Sequence, residues 1–238
     1  MISDQNAPHL AAALERLGFS LTRTVIVGDE LADIRAGLRT VLETADLVVT
    51  SGGLGPTHDD RTVEAIAAEA GVPLVLDEEV LGRITRWTEG VAARYGFERG
   101  RFDAGNLKQA HIPEGAEVLG IAGTAPALVV RVGGAHLVVL PGVPSELRRL
   151  WPLAAQHPSL AGLFARAHPR RQWLIRTYGI GESHVADLFA AAGGDPDGVE
   201  TSSQRPPTRT APTLPPHEAR WSPTTIGEWP RPDRKSVV

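Results

Sequence analysis

Thr50-Ser51-Gly52-Gly53-Leu54-Gly55-Pro56-Thr57-His58-Asp59-Asp60 follows the apolar run Leu47, Val48, Val49 and precedes the helix-patterned Thr62 to Ala70. The order reads as strand, glycine-rich turn and helix start. Three glycines in four positions let the backbone turn tightly and present its N–H groups, while a helix N-terminus adds partial positive charge. Such a turn suits a phosphate. Asp59 and Asp60 in the same turn would repel that phosphate unless a divalent cation sat between them, and Mg²⁺ favours oxygen ligands shared with substrate phosphate. The competing reading is that both aspartates only cap the following helix. The spacing matches neither the P-loop nor the dinucleotide fingerprint.

Outward from the turn, strand and helix signals alternate. Towards the N-terminus, Leu10, Leu14 and Leu17 recur at helical spacing after Asn6, a candidate N-cap, and Gly18 ends the segment. Thr24 to Val27 is a β-branched run ending at Gly28, and Asp29-Glu30 opens a helix whose Ile34, Leu38 and Leu42 share a face. Towards the C-terminus, Gly71 and Pro73 close the helix that begins at Thr62, and Pro73 to Leu76 is extended. Glu78 to Tyr95 is a longer helix interrupted by Gly90, and Gly96 to Ala104 is a loop. Ala127 to Val132 and Ala135 to Leu140 flank Gly133-Gly134, which predicts a hairpin. Pro144 starts a helix carrying Leu147, Leu150 and Leu153. The pattern predicts an α/β fold: an open, mostly parallel sheet with helices on both faces and the ligand outside the carboxyl ends of the strands.

The chain of 238 residues is 42% apolar with a net charge of −4, enough for a full core and without the basic surface that nucleic acid requires. No apolar run is long enough for a bilayer span. No nucleic-acid or membrane partner is expected. The absence of cysteine excludes disulfides and thiolate metal sites within the sequence, the N-terminus lacks the order of a secretory signal, and a cytoplasmic location is expected. Lysine occurs only at 108 and 235. Three regions are expected: 1–168 as the main domain, 169–200 as the start of a second small domain with a strand at Trp173 to Tyr178, and 201–238 as a disordered tail. That tail holds eight of the nineteen prolines and no apolar period. Trp221 and Trp229 within it could anchor a partner, but isolated tryptophans in a proline-rich tail more often do nothing.

Val27-Gly28-Asp29-Glu30, the segment Gly52 to Thr62, Asn106-Leu107-Lys108-Gln109-Ala110, Gly123-Thr124-Ala125-Pro126 and Pro141-Gly142-Val143-Pro144-Ser145-Glu146-Leu147 occur in this order. In that order they resemble the competence/damage-inducible protein A family. The resemblance covers roughly residues 2 to 200 and implies a molybdopterin-binding-like main domain, with the family's second domain beginning near Arg170 on the match at Gly179-Ile180-Gly181-Glu182-Ser183. It also implies a nucleotide-utilising site, in some members a divalent-metal-dependent ADP-ribose pyrophosphatase. In molybdopterin enzymes of this fold, aspartates corresponding to Asp60 and Asp29 support adenylyl transfer. The amidohydrolase that many full-length members add has no counterpart in this sequence.

On that resemblance Asp60 and Asp29 are the candidate catalytic residues, and Asp60, Asp59 and Asp29 would hold Mg²⁺ or Co²⁺. The candidate substrate contacts are Gly52, Gly53, Leu54, Gly55, Thr57, Asn106, Lys108, Gly123, Thr124, Gly142 and Ser145, with a nucleotide or pterin as ligand. Backbone N–H groups from Gly53 to Thr57 would carry phosphate charge, and Lys108 a point charge. Asn106 and Gln109 would bind base or ribose, or else hold their loop together. His58 reads as a solvated turn histidine sooner than as a base. A homo-oligomer is expected by family analogy. A non-catalytic binding protein is the remaining alternative.

Three departures from the family stand out. Met1 to Asn6 match the segment directly after the family's first strand and its loop, so that strand is expected to be missing and the start codon to be placed too late. Family character ends after Glu200, as a frameshift would produce. Ala127 stands where the family commonly has glycine, beside a shortened segment at Gly120-Ile121-Ala122.

Overall fold

The computed structural model describes residues 4–98, 100–167, 180–191 and 193. The chain divides into two units, Met1–Trp173 and Leu174–Val238. The strand expected at Trp173 to Tyr178, the tail 201–238 with Trp221 and Trp229, and residues Met1 to Ser3 lie outside the described residues. In the second unit the described element is helix α8, Glu182–Ala191.

In the first unit the elements run α1 (Asn6–Arg16), α2 (Leu31–Leu42), β1 (Leu47–Ser51), α3 (Thr62–Ala70), β2 (Leu74–Leu76) and α4 (Glu78–Tyr95). They continue with α5 (Asp103–Gln109), β3 (His111–Pro113), β4 (Glu117–Ala122), β5 (Ala125–Val132), β6 (Ala135–Leu140), α6 (Pro144–Ala155), a 3₁₀ turn at Pro158–Leu160 and α7 (Ala161–Arg166). The main sheet has the order β1-β6-β5-β4, and β2 pairs with β3 in a separate ribbon. Strand β1 runs parallel to β6, with Val49 opposite Val138. The hairpin forms at Gly133-Gly134, Val132 facing Ala135, and β4 joins β5 antiparallel.

The fold is therefore α/β with a mixed sheet. Its parallel share is smaller than the sequence suggests, because Thr24 to Val27 forms no strand. A β-branched run becomes a strand only when a neighbouring edge satisfies its backbone, and no described residue offers one.

Alternation along the central strands builds two cores. Ala127, Val129, Val138 and Leu140 face Leu10, Leu14, Leu147 and Trp151 of α1 and α6. Leu128, Val130, Leu137 and Val139 face Ile34, Leu38, Ala65 and Ile66 of α2 and α3. With both faces covered, β5 and β6 are buried along nearly their whole length. A third cluster, Val80, Ile84 and Ala110, holds α4 against Val118 and Ile121 at the β4 edge.

Several local expectations are corrected. Asn6 is the first helical residue and not the cap, since Asp4 Oδ1 accepts from Asn6 N at 2.9 Å and Ala7 N at 3.3 Å. Helix α4 runs through Gly90 unbroken, capped by Asp77 accepting from Val80 N at 2.9 Å; a single glycine costs only about 1 kcal/mol. The end of the expected loop at 96–104 is helical from Asp103 onward. Helix α6, as its Leu153 leads one to expect, continues past Pro152 to Ala155. Among the described residues no helix is long and apolar enough to cross a membrane.

Candidate functional site

The turn leaves β1 at the carboxyl end of the parallel β1–β6 pair. Gly52 N donates to Leu140 O at 3.0 Å, and Thr62 N donates back to Gly53 O at 3.2 Å. Gly52 and Gly53 have φ of 103° and 68°, the left-handed region where a side chain is strained. Close approach adds to that requirement: a Cβ on Gly53 would stand 2.1 Å from Thr62 Oγ1, and one on Gly142 would stand 3.2 Å from Gly52 Cα. The turns after β1 and β6 thus pack glycine on glycine. Asn6 at the start of α1 ties them together, its Nδ2 donating to Ser51 Oγ at 3.0 Å and Gly142 O at 2.7 Å.

Helix α5 clamps the turn from the other side. Gly105 lets Pro56 approach, since an added Cβ would lie 2.7 Å from Pro56 Cβ. Gln109 Nε2 donates to Leu54 O at 2.7 Å. Lys108 Nζ donates to Thr57 O and, at 2.8 Å, to Asp60 O. Leu54 itself is buried in the α2–α3 core, so it anchors the turn and has only its backbone N–H to offer a ligand. The Asn106 amide donates to Thr88 Oγ1 at 2.8 Å and is buried; this side chain holds α5 on α4.

Within the turn, Thr57 is the hub. Asp60 Oδ2 accepts from Thr57 N at 3.0 Å and from Thr57 Oγ1 at 2.6 Å, while Thr57 Oγ1 also meets Asp59 Oδ1. The Thr57 hydroxyl together with the backbone holds the Asp59 carboxyl below its ordinary range, with His58 and Lys108 helping. The aspartates do not cap α3, whose N-cap position is Arg61 with no side-chain cap bond. Arg61 pairs instead with Glu64 at 3.0 Å. Among the described residues, the N–H groups of Gly53, Leu54 and Gly55 have no hydrogen-bond partner, while that of Thr57 is taken by Asp60. The run of donors open to an anion is therefore Gly53 to Gly55, shorter than the expected Gly53 to Thr57.

Asp59, Asp60 and Thr57 make an all-oxygen set. One hydroxyl carries one proton and donates to one carboxylate at a time, leaving a second oxygen pair of like partial charge. A hard divalent cation fits that arrangement, since Mg²⁺ is held by one or two carboxylates completed by substrate phosphate and water. Asp29 lines the same cavity as Gly52, Gly53 and Asp59, and among the described residues no three His, Cys, Asp or Glu side chains gather as a metal cluster.

The remaining candidates surround the first turn of α6. Gly142 and Ser145 are exposed or partly so, Gly123 and Thr124 half-buried, and a Cβ on Gly123 would stand 2.7 Å from Glu146 Oε1. Burial pushes the Glu146 carboxyl upward. Sequence reasoning passed over Glu146 and Gly105, and left Gln109 open between ligand contact and holding a loop, of which its bond to Leu54 O is the second. Glu146 and Gln109 lie inside the quoted motifs, but neither burial nor a reach across 55 residues is written in local pattern.

The sequence profile of the family described as probable molybdopterin binding domain matches residues 1–161. The crystal structure of CinA from Thermoplasma acidophilum, a protein of unknown function, superposes with a TM-score of 0.56 at 35% identity, covering 68% of this chain and 88% of that one. The chain belongs to the CinA family. CinA-like proteins of Mycobacterium marinum and Mycobacterium tuberculosis are 43% and 44% identical over 196 residues each, or 80% of this chain. The CinA-family chain spans 46% and 45% of their lengths. The match to the probable molybdopterin binding domain takes in the glycine turn, α5 and the start of α6, the parts from which the site is built.

Proposed function

We propose that this chain is a nucleotide-utilising domain that hydrolyses a nucleotide diphosphate such as ADP-ribose with the help of a divalent metal. The observation that carries the reading is the row of three unspent N–H groups, Gly53 to Gly55, directly before the Thr57, Asp59, Asp60 hub. Donors and carboxylates side by side suit a diphosphate with its counter-cation, because each phosphate oxygen is met either by an N–H or by the ion.

In this reading the backbone of Gly53 to Gly55 binds one phosphate and fixes its orientation. Lys108, already bonded to two turn carbonyls, positions Asp59 and Asp60. Those two carboxylates would hold Mg²⁺ or Co²⁺, which supplies charge neutralisation on the diphosphate when bound. Water attacks one phosphorus in line with the bridging oxygen, the P–O bridge breaks, and AMP and ribose 5-phosphate leave. Asp29, on the same cavity, is the candidate to orient the water.

The test is AMP release from ADP-ribose by the purified chain with Mg²⁺ or Co²⁺. Turnover that falls by a factor of about 10² or more in Asp60→Ala, with circular dichroism unchanged, supports hydrolysis. Retained nucleotide binding without turnover in the unaltered chain would support a binding protein instead. The match to a probable molybdopterin binding domain suits a pterin ligand and so one rival, adenylyl transfer to a pterin; transfer of AMP from ATP to molybdopterin in place of hydrolysis would select it.

A further inference from the structure

Helix α5 presents one continuous stripe to the glycine turn. Phe102, Gly105 and Lys108 stand three residues apart, which places them along one side of a helix. Lys108 Nζ bonds the carbonyls of Thr57 and Asp60, and Gly105 packs against Pro56. Phe102, the residue at the N-cap of α5, carries the stripe one helical turn past Pro56, at the end remote from the carboxylate hub. From Lys108 to Phe102 the helix rises about 9 Å, which matches the reach of one nucleoside from its 5′-phosphate to its base.

At that end the chain places aromatic rings on the surface. Phe102 meets Phe97 edge to face at 5.9 Å, and Phe97 lies 6.2 Å from Tyr95 with the ring planes tilted by 32°. Phe97 is 43% exposed and Tyr95 64% exposed. Two of the five phenylalanines and one of the two tyrosines thus stand here, outside all three apolar cores. Exposed aromatic surface gathered in one patch marks a binding surface sooner than a packing accident. Each exposed ring also carries a cation. The Arg101 guanidinium lies 5.1 Å from the Phe97 centroid, and that of Arg94 lies 5.7 Å from the Tyr95 centroid. Aromatic rings and guanidinium planes are the surfaces on which flat bases stack.

We propose that Phe97 and Arg101 form the base site for the nucleotide whose phosphates rest on the glycine turn. The base stacks on Phe97 and the Arg101 guanidinium covers its outer face, while Phe102 and Tyr95 pack on Phe97 and fix its ring. This assignment rests on the function proposed above, because the turn fixes where the phosphates lie. Stacking reads a π face that every base possesses. The amides of α5, Asn106 and Gln109, are buried and bonded to Thr88 and Leu54, so they do not read a base edge. Guanine therefore serves as well as adenine.

Isothermal titration of the full chain with Mg²⁺ separates the base site from the turn, with ADP, GDP and inorganic pyrophosphate as the probes. ADP is expected to bind at least about tenfold more tightly than pyrophosphate, and GDP within about tenfold of ADP. Phe97→Ala should remove roughly tenfold of the ADP affinity and leave that for pyrophosphate unchanged, and Phe97→Trp should retain the affinity for both. Phe97 is exposed, so the variants keep the fold, which circular dichroism checks. Equal binding of ADP and pyrophosphate, or a Phe97→Ala variant that loses nothing or loses both alike, would overturn the base site and leave the turn standing. A wider gap between ADP and GDP would overturn it too, since a base edge would then be read. Binding of none of the probes would sink the diphosphate reading and this site with it.

Discussion

Lys108 commits two of its three ammonium donors to the carbonyls of Thr57 and Asp60, and so does more to shape the turn than to meet a ligand. Lys108→Met keeps the stem and removes both bonds. On the proposed function, ADP-ribose turnover should fall roughly tenfold or more while stability drops only about 1 kcal/mol, some 3 °C in melting temperature; a rate assay beside a thermal melt checks the split. Gly53 carries two requirements at once, a φ of 68° and Thr62 Oγ1 at 2.1 Å from where a Cβ would sit. Gly71 carries only the first, with φ 71° and nothing near. Gly53→Ala should therefore cost about 2–3 kcal/mol and Gly71→Ala about 1 kcal/mol in urea unfolding. The left-handed glycines of the turn were legible in the sequence as a glycine cluster. That Thr57 gathers both carboxylates was not, because any of three neighbouring oxygens could have played that part until the turn was closed by α5.

Helices α2 and α3 are joined at the surface by Glu69, whose carboxylate accepts from Arg35 Nε at 2.6 Å and Arg39 Nε at 2.8 Å. Arg39 first, then Arg35, hold that carboxyl below its ordinary value of 4.5. A depressed folded value means that the pair stabilises the protein above the unfolded pKa and that the contribution disappears as pH falls through the folded one. Arg39 is well exposed, which screens the interaction. Glu69→Gln should thus lower stability by about 0.5 kcal/mol near neutrality and by nothing measurable in acid, as paired denaturation curves at the two pH values would reveal. At this scale the sequence located α1, α2, β1, α3, α4, the hairpin and α6, because each carries its own period and its own stop. It read β2 as the extended segment Pro73 to Leu76 but missed α5 and β3, since seven- and three-residue elements carry too little pattern and are held by neighbours: Ala110 O accepts from Asp77 N and Pro73 O from Glu114 N, both at 2.9 Å. Thr24 to Val27 shows the converse, a strand signal with no partner edge among the described residues.

Across the first unit, stability rests on two apolar layers either side of β5 and β6, and these differ sharply from the exposed run Thr24 to Val27 in what a truncation costs. Leu147 is fully buried beside Leu140 and Trp151, so Leu147→Ala should cost about 3–4 kcal/mol, whereas Val25→Ala, at a position 41% exposed, should cost under about 0.5 kcal/mol. Chemical denaturation of the two variants checks the difference, and equal effects would overturn it. The α/β class, the family, the glycine turn and the order of the helices were set down in the sequence, because periodicity and turn chemistry are local and survive without knowledge of neighbours. The proportion of parallel pairing, the clamp that α5 places on the turn and the gathering of Asp59 and Asp60 at Thr57 were decided by tertiary structure. Each depends on which backbone edges and side chains meet across tens of residues, and a hydrogen bond or a buried surface exists only when both partners have arrived.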